Sequence, residues 1–222
     1  HRTEPANVYI EQGTVPVETI RTAVLENQFE DLPEEMREPA QEAQRVLLQT
    51  GDGQLCDVIL DRAALDAVYR AGKESGNEFL KLYAELTVAC ADIKTAVRAA
   101  RMGKGREFLE RALAPCDSLD VKKLADAALE GEEAVKRCLE FSEYHEGAAA
   151  LEESLSAFER WCDNLMIRRI RPQLHNAFGL GPLAAYILAK ESEIKSVRIV
   201  LSGKKNHLPE QSIRERVRET YV

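Results

Sequence analysis

Pro182-Leu-Ala-Ala-Tyr-Ile-Leu-Ala-Lys-Glu-Ser-Glu-Ile-Lys-Ser-Val-Arg-Ile-Val-Leu-Ser-Gly203 carries the clearest periodicity in the chain, and Leu208-Pro-Glu-Gln-Ser-Ile-Arg-Glu-Arg-Val-Arg-Glu-Thr-Tyr-Val222 follows it closely. Leu183, Ile187, Ile194, Val197 and Leu201 recur at three-to-four-residue multiples, which places them on one face of a helix. Pro182 suits a first helical turn, because that position lacks an intrahelical acceptor for an N–H anyway. Gly203 is expected as a left-handed stop, and Pro209 as the start of a second helix.

The same period runs upstream. Helices are expected over 15–29, 42–48, 55–69 (as one helix or two), 77–102, 108–113 and from Ser118 or Asp120 to about 141, with Gly131 as a tolerated weak point. Pro33 and Pro39 punctuate the chain after the first of these. Leu151, Leu155, Phe158, Cys162 and Leu165 form a stripe on a helix that Pro172 ends. Strand-like alternation never persists between turn signals. The expected fold class is therefore all-α.

The chain also resembles itself. Asp92-Ile-Lys-Thr-Ala-Val-Arg98 with Gly103-Lys104 aligns with Glu193-Ile-Lys-Ser-Val-Arg198 with Gly203-Lys204, so the two arginines stand 100 residues apart after one gap. Val15-Pro-Val-Glu-Thr-Ile-Arg21 aligns with Leu208-Pro-Glu-Gln-Ser-Ile-Arg214, 193 residues later between the two prolines and close to two periods. Leu109-Glu-Arg111 represents the intervening copy. The expected organisation is three copies of one multi-helix unit: residues 1–40 as the tail of a first copy, 41–145 as the second and 146–222 as the third.

From Gly181 to Val222 the match to one family is nearly continuous. The Pro-Leu start, the Ala-Lys-Glu-x-Glu-Ile core, the Val-Arg-Ile-Val-Leu-x-Gly-Lys exit and the Leu-Pro-Glu…Ile-Arg-Glu-Arg tail resemble the C-terminus of the central-stalk component known as the C subunit in archaeal and bacterial A/V-type rotary ATPases, and as the d subunit in eukaryotic V-type enzymes. The resemblance implies three similar helical domains around a pseudo-threefold axis, forming a funnel or socket in a longer chain, with most of the first domain absent here. It further implies a non-catalytic coupling role, cytoplasmic and peripheral to the membrane. A protein of that kind joins the central shaft, made of the D and F subunits, to the membrane rotor ring of proteolipid subunits, for ATP-driven or ATP-forming ion transport. Glu191, Glu193 and Arg198 match the family pattern. Together with their aligned counterparts Asp92 and Arg98 they are the candidate interdomain-tie or partner-contact residues, with a solvated helix face as the alternative. The sequence departs from the family at Ala89, Asp92 and Ser196, so no particular hydrogen-bond network is carried over.

Composition narrows the competing classes. A net charge of −8, from 38 acidic and 30 basic residues, argues against a general nucleic-acid surface. No apolar run approaches the ~18 residues that span a bilayer, so direct membrane insertion is not expected. Five singly spaced cysteines point to a reducing compartment rather than a disulfide framework. His1, His145, His175 and His207 stand alone, without zinc-ligand spacing, so neither a metal nor another cofactor is expected. Ser202 and Ser212 lack a nucleophile elbow, and Gly103-Lys-Gly105 lacks the spacing of a phosphate loop. Glu191 and Glu193, two apart on a helix, point about 200° apart and cannot converge on one substrate. Glu191 is instead expected to pair with Lys195 at i, i+4. The cationic run Arg168-Arg-Ile-Arg171 is expected as a solvated helix end. A free-standing helical adaptor that binds a protein partner remains the alternative to the coupling role. Ile20, Val24, Leu25 and Phe29 are expected to need cover from the third copy or from a neighbouring molecule.

Overall fold

The computed structural model describes residue 9 and residues 13–176 and 178–221; His1 and Val222 lie outside the described residues. Among the described residues there is no strand, and eleven α-helices account for most of the chain. It divides between Ala67 and Val68 into two compact units.

In the first unit, α1 (Val17–Glu26) starts behind Pro16 and ends where Asn27 turns left-handed at φ 57°. A single 3₁₀ turn, Phe29–Asp31, then leads through Pro33 into α2 (Glu34–Thr50). Here the structure corrects the expected break at Pro39, which lies inside α2. One missing N–H near the start of a helix does not stop it when the chain beyond has an apolar face, and Ala43 and Val46 pack with Ile59. Phe29 is covered within its own unit, against Ala23 and Leu32. Ile20, Val24 and Leu25, expected to find cover, stay exposed. α3 (Gly53–Glu74) is one continuous helix and carries the boundary between the units.

The second unit is built around α4 (Glu78–Arg101). Asn77 caps it by accepting hydrogen bonds from the N–H groups of Phe79 and Leu80, at 2.9 and 3.2 Å. Its far end closes as expected at Gly103, φ 62°, with the Lys104 N–H donating back to the Ala99 carbonyl. α5 (Arg106–Ala112), α6 (Val121–Glu130), α7 (Glu132–Glu140), α8 (His145–Glu153) and α9 (Leu155–Ile170) complete the core. α6, α7 and α9 lie against α4 and bury Leu86, Ile93 and Val97 with Leu124, Val135, Leu139 and Phe158. Asp120 caps α6, and Ser118 instead donates to Glu85 at 2.5 Å.

Two expected helices are each divided. At Gly131 the backbone takes φ 124°, ψ 176°, a region closed to side chains other than hydrogen, and this separates α6 from α7. Ser154 is extended and accepts a hydrogen bond from the Ala157 N–H at 3.0 Å, so it caps α9 and leaves Leu151 on α8. In both cases the apolar period continues across the break, because both helices pack on the same core.

Beyond α9 a 3₁₀ turn, Arg171–His175, precedes α10 (Gly181–Lys205) and the short α11 (Glu210–Arg214). Gly203 does not stop α10. The left-handed residue is His207, φ 54°, behind which the Leu208 N–H donates to the Gly203 carbonyl at 2.9 Å. A Cβ on Gly203 would stand 2.6 Å from Ile213 Cγ1, so this glycine is an approach point for α11. The tail beyond Arg214 is not the continued helix that its period suggests.

Candidate functional site

α10 has two apolar faces made of different residues. Its inner face is small: Gly181, Ala185 and Ala189 are buried, and Phe79, Ile167, Ile170 and Tyr221 pack against the two alanines. Its outer face is large. Leu183, Tyr186, Ile187, Ile194, Val197 and Leu201 are each more than half exposed. The most regular apolar stripe in the sequence therefore faces solvent, because the small side chains let α10 approach the body closely and turn the bulky ones away.

The aligned positions of α4 make the contrast plain. Ile93 and Val97 are fully buried, whereas their counterparts Ile194 and Val197 are 52% and 56% exposed. α4 is covered by α6 and α7; the outer face of α10 has no such cover among the described residues.

Beside this face the C-terminal tail is strapped onto α9 and α10 by charge. Asp163 Oδ2 on α9 accepts from Arg218 Nε at 2.7 Å and from Lys195 Nζ at 2.6 Å. Arg218 is itself buried, so its charge stands on Asp163 and on the Arg216 carbonyl to which it donates. Arg171 donates to the Thr220 carbonyl at 2.7 Å, Arg160 donates to the Glu215 carbonyl, and the Glu219 N–H donates to Asn164 at 2.9 Å. Tyr221 then enters the apolar cluster under α10. Between α9, α10 and the tail lies a groove of about 360 Å³.

The candidate residues occupy distinct places. Asp92 is fully buried and its Oδ1 accepts from the Ala114 N–H at 3.0 Å, which ties α4 to the segment after α5. Arg98 donates to Glu159 at 2.8 Å and so joins α4 to α9. Glu193 pairs with Lys190 at 2.7 Å on the surface of α10. Glu191 lines a second cavity, of about 250 Å³, and the expected Glu191–Lys195 pair does not form, because Lys195 reaches Asp163 instead. Arg198 lines the larger groove together with Glu159 and has no ion-pair partner among the described residues. Asp163 and Arg218, which hold the tail, carried no sequence signal: they are 55 residues apart, and Arg218 reads as one of several surface charges on an expected helix.

Among the described residues no group of three or more metal-ligating side chains gathers, and no helix is long and apolar enough to cross a membrane. Burial pushes the Cys116 thiol up to about 12, and the Cys162 thiol is raised by its hydrogen bond with Cys90 and then by burial. Neither is poised as a thiolate. Tyr144 is likewise raised by burial and joins Ser118 Oγ at 2.6 Å, a chain that Glu85 terminates.

A family model described as the ATP synthase (C/AC39) subunit matches residues 2–216. The chain belongs to that family. The C subunit of the V-type sodium ATPase of Enterococcus hirae is 24% identical over 219 residues, covering 97% of this chain and 67% of that protein. The C subunit of the A-type ATP synthase of Methanocaldococcus jannaschii is 26% identical over 171 residues, covering 71% of this chain and 42% of the relative. Thus this C/AC39 chain spans about two thirds of one relative's length and less than half of the other's. No solved structure matches it.

Proposed function

We propose that this C/AC39 chain is a non-catalytic coupling subunit of a rotary A/V-type ATPase, joining a central shaft of D and F subunits to the membrane rotor ring from the cytoplasmic side. Its work is mechanical: it transmits torque between the nucleotide-handling head and the ion-carrying ring. Family membership supports the assignment, and the outer face of α10 is the observation that supports a docking role. These side chains are little more than half exposed, so each forgoes roughly half of the ~1.5–3 kcal/mol that full burial supplies, and contiguous faces of this kind mark interaction sites. The aligned face of α4 is buried by a pair of helices, so a helical partner fits the open one.

In this reading residues 41–145 and 146–222 are two copies of one unit, and 1–40 is the tail of another. The recurrence of a long helix followed by a short one, α4–α5 and α10–α11, supports it, as do Pro16 and Pro209, which precede α1 and α11 with nearly the same backbone angles. Arg98 and Asp92 then serve as internal ties, while Glu191, Glu193 and Arg198 lie on surfaces open to a partner.

Co-purification of the chain with D–F shaft and with rotor ring tests the assignment. The Ile187→Asp/Ile194→Asp chain is expected to keep its circular dichroism and lose assembly. Assembly that survives both substitutions would remove the face from consideration. If the unaltered chain associated with neither shaft nor ring at micromolar concentration in low salt, the helical adaptor would replace the coupling role.

A further inference from the structure

The groove between α9, α10 and the tail runs against the charge of the whole molecule. The chain carries −8, yet Lys195, Arg198, Arg216 and Arg218 line this groove against one carboxylate, Glu159. Counting Asp163, which neutralises part of the Lys195 and Arg218 charge, four cations still face two acids. Arg198 and Arg216 are both exposed, and neither has an ion-pair partner among the described residues. The groove is not polar throughout, since Ile199, Leu208 and Ile213 also line it.

From this we infer that the groove is a docking site for an acidic peptide segment of a partner protein, with carboxylates on Arg198 and Arg216 and an apolar side chain set between them against Ile199 and Leu208. Guanidinium forks match carboxylates in two-point contacts. About 360 Å³ accommodates a few side chains rather than a folded domain. A bare phosphate would meet the cations but leave the apolar wall uncovered, so the charge and the wall together select a peptide. The tail builds one side of the site, and the Asp163–Arg218 pair holds that side in place. This inference stands on the groove and does not require the coupling role.

Fluorescence anisotropy with the full chain tests it, using fluorescein-labelled Glu-Glu-Leu-Glu-Glu-Leu as the probe. Versions with Gln or Lys for Glu, and with Gly for Leu, serve as controls. The acidic, leucine-bearing peptide is expected to bind, with each control about tenfold weaker or worse. Arg198→Ala and Arg216→Ala should each weaken binding about tenfold, Lys122→Ala on α6 should not, and added salt should weaken it further. Equal binding of the Gln or Gly versions, undiminished binding by the Arg198→Ala/Arg216→Ala chain, or displacement by inorganic phosphate as tight as the peptide itself would each overturn the assignment. No stalk component enters this assay, so its failure is distinct from failure to co-purify with shaft or ring.

Discussion

Adding one methyl group at Gly203 separates two readings of the same glycine. As a left-handed stop it would resist alanine through backbone strain, and as an ordinary interior helix position it would welcome alanine by ~0.8–1 kcal/mol. In the structure the new Cβ meets Ile213 Cγ1 at 2.6 Å and Cδ1 at 2.8 Å, and Ile213 is buried under α10. Overpacking of this kind costs ~1–3 kcal/mol, so the net loss for Gly203→Ala is about 0–2 kcal/mol after the propensity gain. Because that range touches zero, the deciding quantity is the coupling to Ile213. Ile213→Ala alone should cost ~2–5 kcal/mol, and in the double variant the added methyl occupies space that Cγ1 has vacated. A double-mutant cycle by thermal and urea unfolding should therefore return a favourable coupling of ~1–3 kcal/mol, where 1 kcal/mol corresponds to ~2–4 °C in Tm for a chain of this size. Gly103→Ala is the companion measurement: that glycine has φ 62° and an added Cβ would meet no atom of a neighbouring segment within 4 Å, so its cost should be about 1 kcal/mol with no coupling to Ile213. A Gly203→Ala chain that is more stable by the full propensity gain, and additive with Ile213→Ala to within ~0.5 kcal/mol, would refute the contact.

Gly131→Ala should destabilise by ~1–3 kcal/mol, since φ 124° with ψ 176° is strained for any side chain; an unchanged urea midpoint would contradict this. Asp163→Ala leaves the buried Arg218 with only a carbonyl acceptor and should cost roughly 3 kcal/mol, with faster amide exchange across residues 215–221; protection equal to the parent's would show that the pair does not hold the tail. The Asp117 carboxyl should titrate below its ordinary range in carboxylate NMR, because Lys73 and then Tyr69 hydrogen-bond its charged form. Its folded value is depressed, so its contribution to stability is fully present above pH ~4 and lost as the pH falls through the folded value. Lys73→Gln should return the titration toward the ordinary range.

Local chemistry made much of this protein legible in its sequence. A 3.6-residue apolar period without strand alternation is a property of neighbouring residues, and it determined the all-α class and the course of α4 and α10, though not the break at Ser154 that separates α8 from α9. Asp120 caps through a side-chain oxygen that reaches the next turn and Gly103 through its own left-handed backbone, so both ends were legible, whereas the cap that Asn77 makes was seen only in the structure. What a period cannot carry is which face meets the body. Ile93 and Ile194 occupy aligned places in repeated sequence, and only the packing of α6 and α7 onto α4 buries the first while the second stays exposed. The small residues Ala185 and Ala189 decide the orientation of α10 through close approach to Ile167 and Ile170, a contact between segments far apart in the chain. For the same reason Gly203 reads as a stop until Ile213 is set beside it, Lys195 reads as a partner for Glu191 until Asp163 is within reach, and Arg218 reads as a surface charge until α9 covers it. Helix type follows from residues a few positions apart; the groove and the open face follow from distances that only the folded chain sets.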